Sequence, residues 1–398
     1  MKIVYFSYIW DIWGDSIGPT IKALYLLHAL EKRGHEVKMY WRRDEFSREA
    51  RPKSEQKNIT LRDTLKKYFK RYLHEPSQLL KNLPSIRQEM DILNEEKPDL
   101  VISRLDSYIF SPVIVSSKVS VPFLIEVDCP SAYEKTVFQS YYRSTGRLVR
   151  YLEKKYIDSG KEGFTISNQL KHYFEGRGIV KDKLTVIPNG ADPEKFSPAI
   201  DVSELRSRYH LNDSLVIGFV GSFIYWHGVE NLVSVIRGSL QQDAHKKFLI
   251  VGNGGPSEPF LRKFIEENDL ADRVILTGYV LHEDVPRYIS AMDIVLAPYP
   301  DLDFFYYSPL KIYEYMSCGK PVISTNVGQI AEVIDDGVTG YLTPANDIAM
   351  ITEYILQLVR DDAKRASMGK CAREEILKHH TWDKRGEQLD QLCTRYSK

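Results

Sequence analysis

Short apolar runs separated by longer amphipathic stretches recur twice over along this chain, and that rhythm restricts its fold more than any other feature. In the first half the runs are Ile3–Phe6, Val37–Trp41, Leu100–Ser103, Phe123–Val127, Phe164–Ser167 and Leu184–Ile187. The second half repeats them as Val216–Val220, Phe248–Val251, Val274–Leu276, Ile294–Ala297 and Val322–Ser324. Strands this uniformly apolar need cover on both faces, and alternation with helices supplies it in a parallel sheet. The expectation is an α/β chain with two doubly wound sheets. A length of 398 residues is too great for one ordinary core and agrees with that.

The boundary is expected at Pro188-Asn189-Gly190-Ala191-Asp192-Pro193-Glu194-Lys195-Phe196-Ser197-Pro198, where three prolines and a glycine in eleven residues prevent regular structure. Domains over 1–190 and 191–380 follow. The last segment, 381–398, carries Trp382, Leu389, Leu392 and Tyr396 for one apolar helix face; it closes the second domain or, preferably, rejoins the first.

Charge excludes one class of partner. Lysines and arginines number 54 and so do the acids, which gives no basic surplus for nucleic acid. Cys129, Cys318, Cys371 and Cys393 lie far apart, so neither a zinc site nor a disulfide framework is indicated, and a reducing cytoplasm is the simplest compartment. Asp11 and Asp15 cut short the opening apolar run, which reads as a buried strand and not a signal peptide. No run is long enough to cross a bilayer.

Residues 42–87 are different in character, with thirteen basic against six acidic residues. Leu61, Leu65, Tyr68, Phe69 and Tyr72 fall on one helical stripe, opposite Arg62, Lys66, Lys67, Lys70 and Arg71. Two readings stay open: a helix over 60–73 lying on an anionic membrane surface, or one packed on the first domain with its charges solvated.

Chemistry is expected where strands end. Ser308-Pro309-Leu310-Lys311-Ile312-Tyr313-Glu314 opens a helix that closes on Gly319, and Lys311 and Glu314 share one face of it. A helix N-terminus beside an ammonium suits a phosphate. Gly221-Ser222, with His227 five residues after Ser222, follows another strand. So do Gly252-Asn253-Gly254-Gly255 and Thr277-Gly278-Tyr279-Val280. Each alone is a turn as readily as a site, but four such ends in one domain converge. In the first domain, Gly18 opens a helix whose Leu24, Leu27 and Leu30 are expected to face inward. The absence of further glycines there argues against a dinucleotide fingerprint. Arg104, Glu126 and Asp128 stand just past strands and would meet a hydroxyl-rich substrate or one another.

These residues together resemble the retaining nucleotide-sugar glycosyltransferases of family 4. The resemblance runs from the Gly18 loop and Leu27–Val37 through Pro188–Asp192, Gly221–Val229 and Leu249–Gly252 to Ser308–Ile323. It implies the GT-B architecture, two Rossmann-like domains facing an interdomain cleft, and transfer of a hexose-type sugar to a glycan, lipid-linked or small-molecule hydroxyl. The donor would be a UDP- or GDP-sugar, with no metal and no further cofactor. Glu314 matches the family glutamate that binds the nucleotide ribose. By the same resemblance, backbone amides at Leu310 and Lys311 after Ser308 cradle the diphosphate, Gly18 approaches it from the first domain, and Val280 offers backbone groups to the base.

The chain departs from the family pattern at three places. Tyr306 stands where the motif has its first glutamate, Ser222 and His227 replace an arginine and a lysine, and Arg104 replaces a histidine near the reacting sugar. Lys311 and a protonated His227 are expected to compensate, which makes Lys311, His227, Glu314 and Arg104 the catalytic candidates. The rival readings are a catalytically silent nucleotide-sugar or glycan-binding subunit and, more distantly, a nucleotide-sugar epimerase.

Overall fold

A computed structural model of the chain describes residues 1–8, 18–42, 46–47, 77–137, 146–240 and 246–396. The basic stretch 60–73 lies outside the described residues. The chain divides into two compact units, Met1–Pro188 joined by the chain from Arg385 onward, and Asn189–Lys384.

In the first unit the strands are β1 (Lys2–Ser7), β2 (Glu36–Arg42), β3 (Phe46–Ser47), β4 (Leu100–Arg104), β5 (Phe123–Val127), β6 (Glu162–Thr165) and β7 (Leu184–Val186). They form one sheet in the order β3-β2-β1-β4-β5-β6-β7. Every pairing is parallel except β2 with β3. Ile3, Val4, Val101, Ile102, Leu124 and Ile125 are fully buried, as expected of strands covered on both faces. Removing each from water contributes roughly 1.5–3 kcal/mol.

The helix Gly18–Glu31 covers β1 with Ala23, Leu26, Leu27 and Leu30, so Leu26 takes the inward place expected of Leu24, which is only half-buried. A lysine, Lys22, also lies on the inner face. The helix Trp382–Thr394 brings the chain back to this unit. Leu389 and Leu392 are buried, and Asp390 sits 2.8 Å from His35 Nε2.

The second unit repeats the plan with β8 (Leu215–Val220), β9 (Lys246–Val251), β10 (Val274–Leu276), β11 (Ile294–Ala297), β12 (Val322–Thr325) and β13 (Gly340–Thr343). The order is β10-β9-β8-β11-β12-β13, parallel throughout. Alternate strand residues feed two separate cores. Val216, Leu249, Val295 and Val322 join one, while Ile217, Phe248, Ile294 and Ile323 join the other.

The proline-rich boundary segment is held by its carbonyls. Phe196 is 1% exposed in the first of these cores, and its carbonyl accepts from Ser317 Oγ at 2.7 Å and Arg373 Nη1 at 2.8 Å. Irregular backbone is thereby satisfied by side chains on two helices rather than by a ladder of its own. No helix among the described residues is long and apolar enough to cross a membrane.

Candidate active site

Both sheets reverse their winding beside their first strand, between β1 and β4 and between β8 and β11. Open α/β sheets bind ligands outside the carboxyl ends of strands at such points. In the second unit the chain leaving β8 passes through Gly221, whose φ is +153°. An ideal Cβ there would lie 2.8 Å from Lys311 Nζ and 3.2 Å from His227 Nδ1. Ser222, His227 and Lys311 therefore converge on one spot, and glycine keeps it open. A short 3-10 turn, Tyr225–His227, then ends at Gly228, where φ is +75° and a Cβ would meet Pro298 O at 1.9 Å.

Lys311 is the unusual residue here. It sits in the first turn of the helix Leu310–Ser317, which starts at Pro309 and has no side-chain cap. The residue is 8% exposed, and among the described residues Nζ has no hydrogen-bond partner. The ammonium rests 4.4 Å from the centre of the Phe219 ring and 5.5 Å from that of Tyr299. Aromatic faces compensate a cation only partly. Burial lowers the Lys311 pKa to about 7, although Glu314 one turn away favours the charge.

His227 beside it favours the neutral form. Burial, then the Lys311 charge, lowers its pKa to about 3. Its Nδ1 lies 2.8 Å from the Ser222 carbonyl, so Nδ1 carries the hydrogen and donates it. The Ser222 hydroxyl is 3.4 Å from the same nitrogen.

Glu314, 7% exposed, has a partner that the sequence did not suggest. Its Oε1 lies 3.0 Å from His282 Nε2, and Lys195 Nζ lies 3.1 Å from His282 Nδ1. His282 lies two residues past the Thr277–Val280 strand end, and Lys195 lies in the Pro188–Pro198 segment, which was expected only to be irregular.

Ser308 is turned to structural use. Its hydroxyl accepts from the Asn189 backbone at 3.0 Å and from Gln329 Nε2 at 2.6 Å, and Tyr313 OH is 3.2 Å away. Leu310 and the backbone of Lys311 form the helix start, while Val280 packs half-buried against the core. Tyr306 is 1% exposed, its ring 4.2 Å from Tyr307 and 5.2 Å from Phe304, in an aromatic row leading to the helix.

In the first unit, Arg104 binds its neighbours. Nη2 is 2.6 Å from Asp128 Oδ2, and Nη1 donates to the Pro19 carbonyl at 3.1 Å, fixing the helix that Gly18 opens. Lys22 pairs with Glu126 at 2.8 Å and also with Asp128, and Tyr5 OH donates to Glu126 at 2.6 Å. Arg104 and Asp128 thus meet directly, and Lys22 links Glu126 to them. Burial works against the Asp128 charge, but Lys22 and Arg104 outweigh it and hold the carboxyl below its ordinary range.

Comparison with known proteins fits this geometry. Residues 20–195 match the family model described as Glycosyltransferase Family 4, and residues 214–361 that described as Glycosyl transferases group 1. Alpha-D-kanosaminyltransferase of Streptomyces kanamyceticus is 24% identical over 288 residues, 70% of this chain and 72% of that protein. The Escherichia coli enzyme UDP-Gal:alpha-D-GlcNAc-diphosphoundecaprenol alpha-1,3-galactosyltransferase is 25% identical over 346 residues, 83% of this chain and 84% of its own length. Sucrose-phosphate synthase from Thermosynechococcus elongatus superposes with a TM-score of 0.74 at 20% identity, covering 99% of this chain and 98% of that one. Anabaena Alr3699/HepE in complex with UDP-glucose gives 0.72 at 18%, covering 99% and 100%.

Two Rossmann-like units with these structural neighbours define the class as the GT-B fold. Within that class, the chain belongs to the glycosyltransferases of the group 1 and family 4 type.

Proposed function

We propose that this protein transfers a hexose-type sugar from a nucleoside diphosphate donor to a hydroxyl of a glycan, lipid-linked or small-molecule acceptor, with retained anomeric configuration and without a metal. One observation carries the reading: a buried ammonium, Lys311, stands beside a helix start at the second switch point with no hydrogen-bond partner among the described residues. Leaving such a charge without a partner is unfavourable in the protein alone and favourable once a diphosphate arrives.

As the glycosidic bond to the diphosphate breaks, positive charge grows on the sugar and negative charge on the leaving oxygen. Lys311 and the amides of Leu310 and Lys311 stabilise that oxygen. His227 has its Nδ1 hydrogen committed to Ser222, so it gives a phosphate nothing until Nε2 is protonated, which Lys311 opposes. The cation that the family places on this loop is supplied here from the neighbouring helix. Glu314 receives the ribose hydroxyls, and the departing phosphate accepts the acceptor's proton on the same face. That one relative is a galactosyltransferase using a UDP-sugar, and that a structural neighbour holds UDP-glucose, supports a sugar nucleotide as donor. For a lipid-linked acceptor the basic stretch 60–73 would meet the anionic inner face of the membrane, and binding to anionic vesicles at low salt tests that.

The direct test is a thermal-shift screen against UDP, GDP and their sugars, followed by release of nucleoside diphosphate from those that bind. Stabilisation and turnover by at least one donor are expected. Tight nucleotide binding with no hydrolysis or transfer under any acceptor would overturn the reading.

A further inference from the structure

We propose that Lys195 and His282 form a relay that positions Glu314 for the ribose diol of the nucleotide, an inference that rests on the donor reading above. Three separate elements supply the relay: the irregular segment after Asn189, the turn after β10 and the helix Leu310–Ser317. Lys195 Nζ is 3.1 Å from His282 Nδ1, and His282 Nε2 is 3.0 Å from Glu314 Oε1.

The direction of each bond follows from the groups. An ammonium has only hydrogens to give, so Nδ1 accepts; Nε2 then holds the imidazole hydrogen and donates it to the carboxylate. The Phe196 ring, 5.7 Å from the His282 ring, packs against the imidazole. Glu314 at 7% exposure and His282 at 19% keep this bond largely out of water.

The consequence is an oriented carboxylate. A glutamate side chain left to itself rotates about its last torsions, and its two oxygens are then equivalent to an incoming diol. With one acceptor site of Oε1 taken by the imidazole, Oε2 is the freer oxygen and accepts from ribose. His282 and Lys195 touch no reacting atom in this scheme. They are positioning residues, and their effect is selectivity for ribose hydroxyls over a sugar that lacks them.

Isothermal titration of the full chain with UDP and GDP, and with their 2′,3′-dideoxy counterparts, reads that selectivity. The wild type is expected to bind the ribonucleotide about tenfold or more tighter than the dideoxy form, since two hydroxyls then lose a charged acceptor. Glu314→Ala removes the preference. His282→Ala narrows it several-fold, Lys195→Met narrows it less, and His282→Gln, whose amide can both donate and accept, restores most of it.

If His282→Ala keeps the full preference, or weakens both nucleotides equally, the relay is overturned. Should His282→Ala fail to fold, Lys195→Met decides in the same way, an undiminished preference overturning the relay. If the wild type binds neither nucleotide, or binds both sugars alike, the donor reading at Glu314 fails first and the relay falls with it.

Discussion

The two switch points occupy the same place in the same strand order, yet one is electrically closed and the other is open. Between β1 and β4 the buried charges of Lys22, Arg104, Glu126 and Asp128 satisfy each other. Between β8 and β11 a buried ammonium stands over two aromatic rings with no hydrogen-bond partner among the described residues. Topology therefore tells where a ligand can sit, and the proposed donor site falls at the switch point whose buried cation is not matched by a carboxylate.

Breaking the closed site should have the largest effect, and it should fall on stability. Glu126→Ala leaves Lys22 short of a partner and Tyr5 without its acceptor, at a cost of about 3–5 kcal/mol for a disrupted buried pair. Urea unfolding checks this; a change under about 1 kcal/mol would mean that the network contributes little there. The open site should respond in the opposite sense. Lys311→Met fills the aromatic slot with an apolar chain and removes a charge that folding disfavours, so the melting temperature should rise while donor turnover falls by roughly 2–4 kcal/mol of barrier. A variant that loses both stability and activity would make Lys311 an ordinary packing residue.

How far the sequence exposed this contrast depends on the range of each interaction. The strands of both sheets and the pairing of Lys311 with Glu314 on one helix are local, written in spacings of two or three residues. Partners fixed by topology are not. Lys22 and Glu126 are 104 residues apart, Lys195 and His282 87, and His282 and Glu314 32, and nothing in a periodicity connects them. The same limit hid Lys22, a lysine on the inner face of a helix where only an apolar residue is expected. The apolar-run pattern also missed β13, an edge strand in which only Tyr341 and Leu342, between Gly340 and Thr343, are apolar.

The pH dependence sharpens the comparison. Burial has lowered Lys311 from 10.5 to about 7, so the folded protein binds fewer protons than the unfolded chain between those values. Stability from this group is therefore lowest below about pH 7 and rises as pH climbs toward 10.5. On the proposed role of Lys311, activity should run the other way, because the ammonium is the form that would hold the leaving phosphate. The value of kcat/KM for the donor should fall above about pH 7, and kcat should hold to higher pH because bound phosphate stabilises the ammonium. Lys311→Met should abolish the rise in stability; a pH profile of unfolding unchanged by that substitution would reassign the titration. His227, at about 3, contributes no inflection near neutrality.

The finest test asks whether the open site depends on a charge or on a particular residue. The atoms of Lys311 and His227 both crowd the position a Cβ on Gly221 would take, one from the helix and one from the loop. A cation carried on the loop should therefore reach the same phosphate. His227→Lys placed in the Lys311→Met background is expected to recover about tenfold of the lost turnover, or ~1.4 kcal/mol, less than the whole because the helix ammonium is held by two rings and the loop one is not. The same His227→Lys change in the wild type sets two ammonium groups side by side and should weaken folding without raising the rate. Recovery in the double variant alone would show that the charge has been transposed from loop to helix. No recovery, with donor still bound, would tie catalysis to the helix position itself, where the first-turn amides and the ammonium act on one oxygen together.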